Sequence, residues 1–273
     1  MSAANEFERR RWNDDNWTAV WPKRERLTDE VTAYLLAAAS FRSGERVLDI
    51  GYGGGKTSLA AAQAVGAEGA VVGADVSEPL SRLATQRAAA ASLGNVSFHL
   101  ADMQTDRVEG GPFDAAISQF GVMFFEDRVA AFRNIRGHLR PGGRLVFACW
   151  QSMEQNPWFF APAVVEFAPP PPVPEPGKNP TGPFALADAE QTRSLLEAAG
   201  FSDVQRSPHE IEVDVPADSV VDEAQLVFMG VPDEKLEAAW VAVDAHLRRL
   251  ELGSGLLRFP LAFQVFHAVN PGP

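Results

Sequence analysis

The chain has 273 residues, 46% of them hydrophobic, and a formal net charge of −12. That is apolar material for a sizeable core and excludes global disorder, while the acidity argues against a nucleic-acid partner, which would demand a basic face. A single cysteine, Cys149, excludes a disulfide framework and a cysteine-rich metal site.

Residues 5–26 hold Phe7, Trp12, Trp17 and Trp21 among mixed charges. Trp17 and Trp21, four apart, share one face of a helix, and Pro22 is expected to break or restart it. The segment reads either as a helix packed on the domain or as a cap that excludes water from a pocket. From Leu27 to Phe41, Val31, Tyr34, Leu35 and Ala38 recur at helical spacing.

Residues 47–65 are the centre of the pattern. The apolar run Val47-Leu48-Asp49-Ile50 passes through Gly51-Tyr52-Gly53-Gly54-Gly55-Lys56-Thr57-Ser58 into the helix-forming run Leu59 to Val65. This is a buried strand, a tight turn and a helix whose N-terminus offers unpaired N–H groups to a ligand. A phosphate loop, G-x-x-x-x-G-K-[ST], would end correctly on Gly55-Lys56-Thr57, but its first glycine falls on Ile50. A dinucleotide G-x-G-x-x-G would need its third glycine at Lys56. The spacing that fits is D-x-G-x-G-x-G, on Asp49, Gly51, Gly53 and Gly55.

The following units repeat one theme. Ala70 to Asp75 is an apolar strand ending in an acid, placed where nucleoside-binding folds carry a carboxylate for ribose hydroxyls. Ser77 and Pro79 open a helix that runs toward Gly94. Val96, Phe98 and Leu100 alternate in a third strand before Asp102-Met103, and Phe113 to Ser118 is a fourth. Asp127 to Arg140 reads as a helix, with His138 as a cation near its C-terminus. Pro141-Gly142-Gly143 turns the chain into a fifth strand ending at Trp150. Strands alternating with helices imply a doubly wound parallel sheet, with ligands beyond the carboxyl ends of the strands. Beyond it lie a proline-rich connector (151–185), a helix from Ala187 to Ala199, a strand from Phe201, a helical stretch within 218–255 and a last strand, Phe259 to Val269.

The series Val47–Gly55, Val72–Ser77, Ala101-Asp102-Met103, Phe113–Ser118 and Leu139–Leu145 resembles the motifs of the class I S-adenosylmethionine (SAM)-dependent methyltransferases, most of all the UbiE/Coq5-like small-molecule branch. The likeness covers residues 45–150 closely and the remainder loosely. It implies a Rossmann-like, mostly parallel seven-stranded sheet with an antiparallel last strand and helical cap elements. The implied organisation is one domain over 1–273, with a cap at 1–26, a SAM-binding core at 45–150, the connector at 151–185 and an insertion at 218–255. The resemblance puts Asp49, Gly51, Tyr52 and Gly53 at the methionine end of SAM and Asp75 on the ribose. Val76, Asp102 and Met103 would surround the adenine, and Ser118 and Gln119 would border the sulfonium. Tyr52 stands where cysteine is common in the family.

Trp17, Trp21, Phe124, Trp150 and Trp158 are the candidate acceptor contacts, for a small, fairly apolar, aromatic or isoprenoid-like metabolite. No His–Asp pair at catalytic spacing names a general base, and no carboxylate cluster indicates a metal. No stretch is long enough to span a membrane, and the charged N-terminus is unlike a signal peptide, so the expected location is the cytoplasm. Two alternatives remain at this point: a phosphate-loop NTPase using Lys56 and Thr57, and a non-catalytic SAM-binding module.

Overall fold

The computed structural model describes residues 3–170, 180–217, 220–221, 223–253 and 255–272, without the side chains of residues 3–5, 7, 16–18, 20, 24, 224 and 228. Its strands are β1 (Arg46–Ile50), β2 (Ala70–Asp75), β3 (Val96–Leu100), β4 (Phe113–Gln119), β5 (Leu139–Trp150), β6 (Ser202–Pro216) and β7 (Leu256–Val269). They form one seven-stranded sheet in the order β3-β2-β1-β4-β5-β7-β6. The pairs from β3 to β5 are parallel, and β7 runs antiparallel to both β5 and β6. This is the doubly wound architecture expected, with its reversed strand inserted next to last across the sheet.

Short local signals start the helices. In α5 (Glu78–Ala90), Ser77 accepts from the Leu80 N–H at 3.3 Å and Pro79 occupies the first turn, where a missing N–H costs nothing. Asp127 caps α6 (Arg128–Arg136) in the same way through the Ala130 N–H, at 3.0 Å. Along the sheet, α3 (Asp29–Ala39) packs on β4, β5 and β7, α4 (Lys56–Val65) on β1 and β2, and α8 (Ala189–Ala198) on β6. Between strands and helices lies a fully buried aromatic file: Phe132 faces Phe147 at 5.7 Å, and Phe147 faces Phe266 at 5.3 Å. Burying each such ring is worth about 1.5–3 kcal/mol.

Two expectations need correction. Pro22 does not break the N-terminal segment: it lies inside α2 (Asp15–Arg26), and the break from α1 (Ala3–Trp12) falls at Asn13-Asp14. A proline within a helix removes one backbone bond, a loss that packing outweighs here. The helix expected over 127–140 stops at Arg136, and Leu139 already belongs to β5. His138 is therefore no helix-terminal cation. Its ring lies between the Asn134 carbonyl, 2.9 Å from Nδ1, and the Val108 N–H, which donates to Nε2 at 3.1 Å; burial lowers its pKa.

Over the carboxyl ends of the strands sits a roof of later and earlier chain. Here α2 packs against α5 and against α9 (Glu223–Phe228), so the N-terminal and the late segments meet. The β6–β7 hairpin carries that late segment. Its inner part, up to Phe263, lies alongside β5, whereas residues 210–216 and 256–262 pair with each other past the end of β5 and run on as an arm. The arm is followed by α10 (Leu236–Leu247) in space, which packs on α9 and on α7 (Ala161–Val164).

Candidate active site

The strand order reverses between β1 and β4, and the site is built there. Gly51 follows β1 with φ +69°, a conformation that favours glycine, and a side chain on it would stand 2.8 Å from Gly121 Cα. The two backbones touch because Ser118 stitches them: its hydroxyl donates to the Ile50 carbonyl at 2.7 Å and accepts from the Gly121 N–H at 3.2 Å. Ser118 is fully buried in this stitch and stands behind the cavity wall rather than on it.

Asp49 also lies beneath the surface. Its Oδ2 accepts from the hydroxyls of Thr57 and Ser58, both at 2.6 Å, while Oδ1 is buried with no hydrogen-bond partner. Burial, aided by the nearby Asp75 charge, pushes its carboxyl up to about 6 despite those two donors. Asp75, at the tip of β2, accepts from the Gly53 N–H at 2.8 Å and the Ser77 N–H at 2.9 Å, and burial raises its pKa too.

A cavity of about 770 Å³ opens above these strand ends, within the range that holds a cofactor and a small substrate. Gly51, Tyr52, Gly53, Asp75, Val76, Asp102, Met103 and Gln119 line its floor. The Tyr52 ring turns toward the sheet, packing on Phe98 at 4.8 Å and over Gly73, where any side chain would collide with it. Burial holds its phenol above the ordinary value. Gln119 is engaged with α3: its Oε1 accepts from the Thr32 hydroxyl at 2.8 Å, and Nε2 donates to Thr28 at 3.3 Å. Asp102 takes the Gln104 N–H on Oδ1 at 3.0 Å.

The far half of the cavity is aromatic. Phe120 stacks on Trp150 at 4.1 Å, and Trp150 meets Trp158 edge-on at 5.0 Å. Trp158 donates its indole N–H to Asn156 at 3.0 Å, so its polar end is satisfied within the wall. Phe259 and Leu261, two apart on the hairpin arm, close this side. Phe124 stands under the roof, edge-on to Trp12 at 5.1 Å. Of the acceptor contacts expected, Trp21, Phe124, Trp150 and Trp158 all line the cavity, and the Trp17 side chain lies outside the described residues.

Sequence reasoning missed two groups. Phe259 and Leu261 were recognisable as a strand but gave no hint of which end faces the site. Glu8 had no signal at all, yet it lines the cavity, accepting from the Thr181 hydroxyl at 2.9 Å and the Trp12 indole at 3.1 Å. Burial raises its pKa, partly offset by Arg11. The phosphate-loop residues are committed elsewhere: the Lys56 ammonium pairs with Asp29, and Thr57 binds Asp49. Among the described residues, no three His, Cys, Asp or Glu side chains converge to hold a metal, and no helix is long and apolar enough to cross a membrane.

A family model described as a methyltransferase domain matches residues 47–143, the glycine turn through β5. Nocamycin O-methyltransferase of Saccharothrix syringae is 32% identical over 201 residues, which cover 68% of this chain and 70% of that protein. The ubiquinone/menaquinone C-methyltransferase UbiE of Cellvibrio japonicus is 32% identical over 114 residues, covering 41% of this chain and 46% of its own. The chain thus spans about half the length of this second relative. The crystal structure of YcgJ from Bacillus subtilis shares the fold, with a TM-score of 0.62 at 16% identity, covering 89% of this chain and 98% of the other. The chain belongs to the class I SAM-dependent methyltransferases. It is a methyl-transferring enzyme, and its cofactor is SAM.

Proposed function

We propose that the enzyme methylates a hydroxyl of a small, apolar acceptor of aromatic, polyketide-like or isoprenoid-like character. The observation that carries this reading is the division of the cavity over the strand ends into two halves. The glycine turn with Asp75 and Asp102 lines one half, and Trp150, Trp158, Phe124 and Phe259 line the other. The relative named for O-methylation of nocamycin supports oxygen as the target. The UbiE/Coq5-like branch, with carbon as the target, has the shorter match in its favour.

The residues present suit the cofactor. A buried, unpartnered Asp49 oxygen and a second acid at β2 supply negative charge beside the turn where the cationic methionine end would lie. In this reading Gly51, Tyr52 and Gly53 border that end, Asp75 takes the ribose hydroxyls, Val76 and Met103 flank the adenine, and Asp102 accepts from its amino group. Ser118 acts from behind, by fixing the crossing of Gly51 and Gly121, and Gln119 by holding the start of α3. The described residues of the 1–26 and 218–255 segments are the cap, and residues 158–169 and 180–183 of the 151–185 connector form part of the acceptor wall, residues 171–179 lying outside the described residues.

Bound SAM supplies an activated methyl on a sulfonium whose leaving group is neutral. The acceptor hydroxyl loses its proton to solvent before the chamber closes, and the electrons of the methyl–sulfur bond stay with sulfur as the carbon–oxygen bond forms. The protein's task is then to align that oxygen with the methyl and to keep water out, and both tasks fall to the rigid aromatic half and the roof. A binding-only module has no use for such a chamber beyond the cofactor. An NTPase would need Lys56 released from Asp29.

Incubation with methyl-labelled SAM and a panel of naphthols, hydroquinones, polyketide aglycones and isoprenoid alcohols tests the reading. Label is expected in methyl ethers of the apolar hydroxyl compounds. Label appearing only on carbon, or only in polar amine acceptors, would overturn it.

A further inference from the structure

One residue of the glycine turn is left unexplained by the turn itself. Gly51, Gly53 and Gly55 all have positive φ, but Gly54 does not, so its backbone does not call for glycine. The motif D-x-G-x-G-x-G places no demand there either. What Gly54 lacks is room: a side chain on it would lie 2.6 Å from Trp21 Nε1 and 2.6 Å from Arg87 Nη1. At Gly53 a side chain would collide with the same indole.

These neighbours form a closed circuit. Trp21 on α2 lies across the turn and donates its N–H to Glu25 Oε1 at 3.3 Å, one helical turn on. Glu25 pairs with Arg87 of α5, whose Nη1 lies 2.8 Å from Oε2 and 3.1 Å from Oε1. The same Nη1 donates to the Gly54 carbonyl at 2.9 Å. Behind Trp21, Leu80 joins it to Trp12 in a small apolar cluster separate from the main core. Trp21 and Glu25 also line the cavity, so the circuit is part of its wall.

We propose that Trp21, Glu25, Arg87 and Gly54 are a clasp that fastens α2 onto the cofactor turn, making Trp21 a positioning residue for SAM. This rests on the cofactor assignment and deepens it: the N-terminal segment belongs to the cofactor half as well as to the acceptor half. Closing the clasp fixes the carbonyl and the flanking N–H groups of the turn and covers them with a flat apolar ring. The charged pair is set in the wall, partly shielded from solvent, where it is worth more than on the surface.

Calorimetric titration of the full-length protein with S-adenosylhomocysteine tests this without any acceptor. Trp21→Ala and Gly54→Ala should each weaken binding on the order of tenfold, while Trp21→Phe keeps most of the affinity. The double variant should be about as weak as either single one, because both open the same clasp. Hydrogen exchange in residues 15–26 should slow on ligand binding in the parent and not in Gly54→Ala. Unchanged affinity in a folded Trp21→Ala protein, or fully additive losses in the double variant, would overturn the clasp. Failure of the parent itself to bind S-adenosylhomocysteine would instead strike the cofactor reading on which it rests. An acceptor screen that contradicts the proposed substrate would leave the clasp standing.

Discussion

The floor and the roof of the cavity are built by different means. The floor comes from contiguous chain: strands hand an acid or glycine to the ligand side at their carboxyl ends, parallel register holds Asp49 and Asp75 in place, and Asp102 follows two residues after β3. The roof comes from segments far apart in sequence, joined by a few side chains. Asn13 bonds the Val76 carbonyl at 3.0 Å, Ser77 donates to the Trp12 carbonyl at 2.5 Å, and Thr181 meets Glu8. A floor of backbone ladders is rigid and tolerant of surface change. A roof held by individual contacts opens at a lower cost and can be altered one contact at a time.

Removing the roof should have the largest effect. A chain lacking residues 1–26 is expected to melt cooperatively, because the sheet and its aromatic file are intact, yet to lose about a hundredfold or more in turnover. Since Trp21 lies on the glycine turn, S-adenosylhomocysteine affinity should fall as well. Calorimetry and a labelled-methyl assay on the truncated protein check this, and normal turnover would make the roof dispensable. If the truncated chain does not fold, the two regions are one.

On the floor, Asp75→Ala should weaken S-adenosylhomocysteine binding by about ten- to hundredfold, the worth of charge-assisted hydrogen bonds of roughly 1.5–3 kcal/mol. The roof should stay docked, as read by unchanged protection of residues 15–26 from exchange. Unchanged affinity in a folded variant would remove Asp75 from the site.

The smallest effect is a pH dependence from Asp49. Its carboxyl sits near 6 in the folded protein, above an unfolded value of about 4. The stability it contributes is thus fully present below about pH 4 and is lost as pH rises through about 6. The cationic methionine end of SAM nearby favours the ionised form, so SAM affinity should rise with pH, by about tenfold between pH 5 and 7. Asp49→Asn should flatten that profile; a profile that is unchanged in this variant places the titrating group elsewhere.

The floor was readable from sequence because its signals are local. Apolar runs with an acid at or just past their ends, at Asp49, Asp75 and Asp102, state where strands stop, and the glycine spacing states where the turn lies. Pro22 and residues 137–140 misled for the opposite reason: tertiary packing overrode a local breaker in one case and drew the end of an expected helix into a turn and a strand in the other. The roof was half legible. Tryptophans ahead of every strand suggested a cap, but sequence could not say that Trp21 lies on the glycine turn, or that Glu8 meets Thr181 across 173 positions. Nor could it show that Ser118 and Asp49 act from behind the wall, since a side chain's facing depends on the register of neighbouring strands.

The hairpin arm beyond β5 has one more consequence. Its free stretch, about 20 Å long at the usual rise per residue, stands like a post beside the aromatic chamber, with Phe259 and Leu261 facing in. The height of that post gauges the depth of the chamber independently of the sheet. Lengthening both of its strands by two residues would raise the ceiling for a longer acceptor while keeping the inward face inward. A change of one would turn that face outward, so the chamber can be resized only in paired steps.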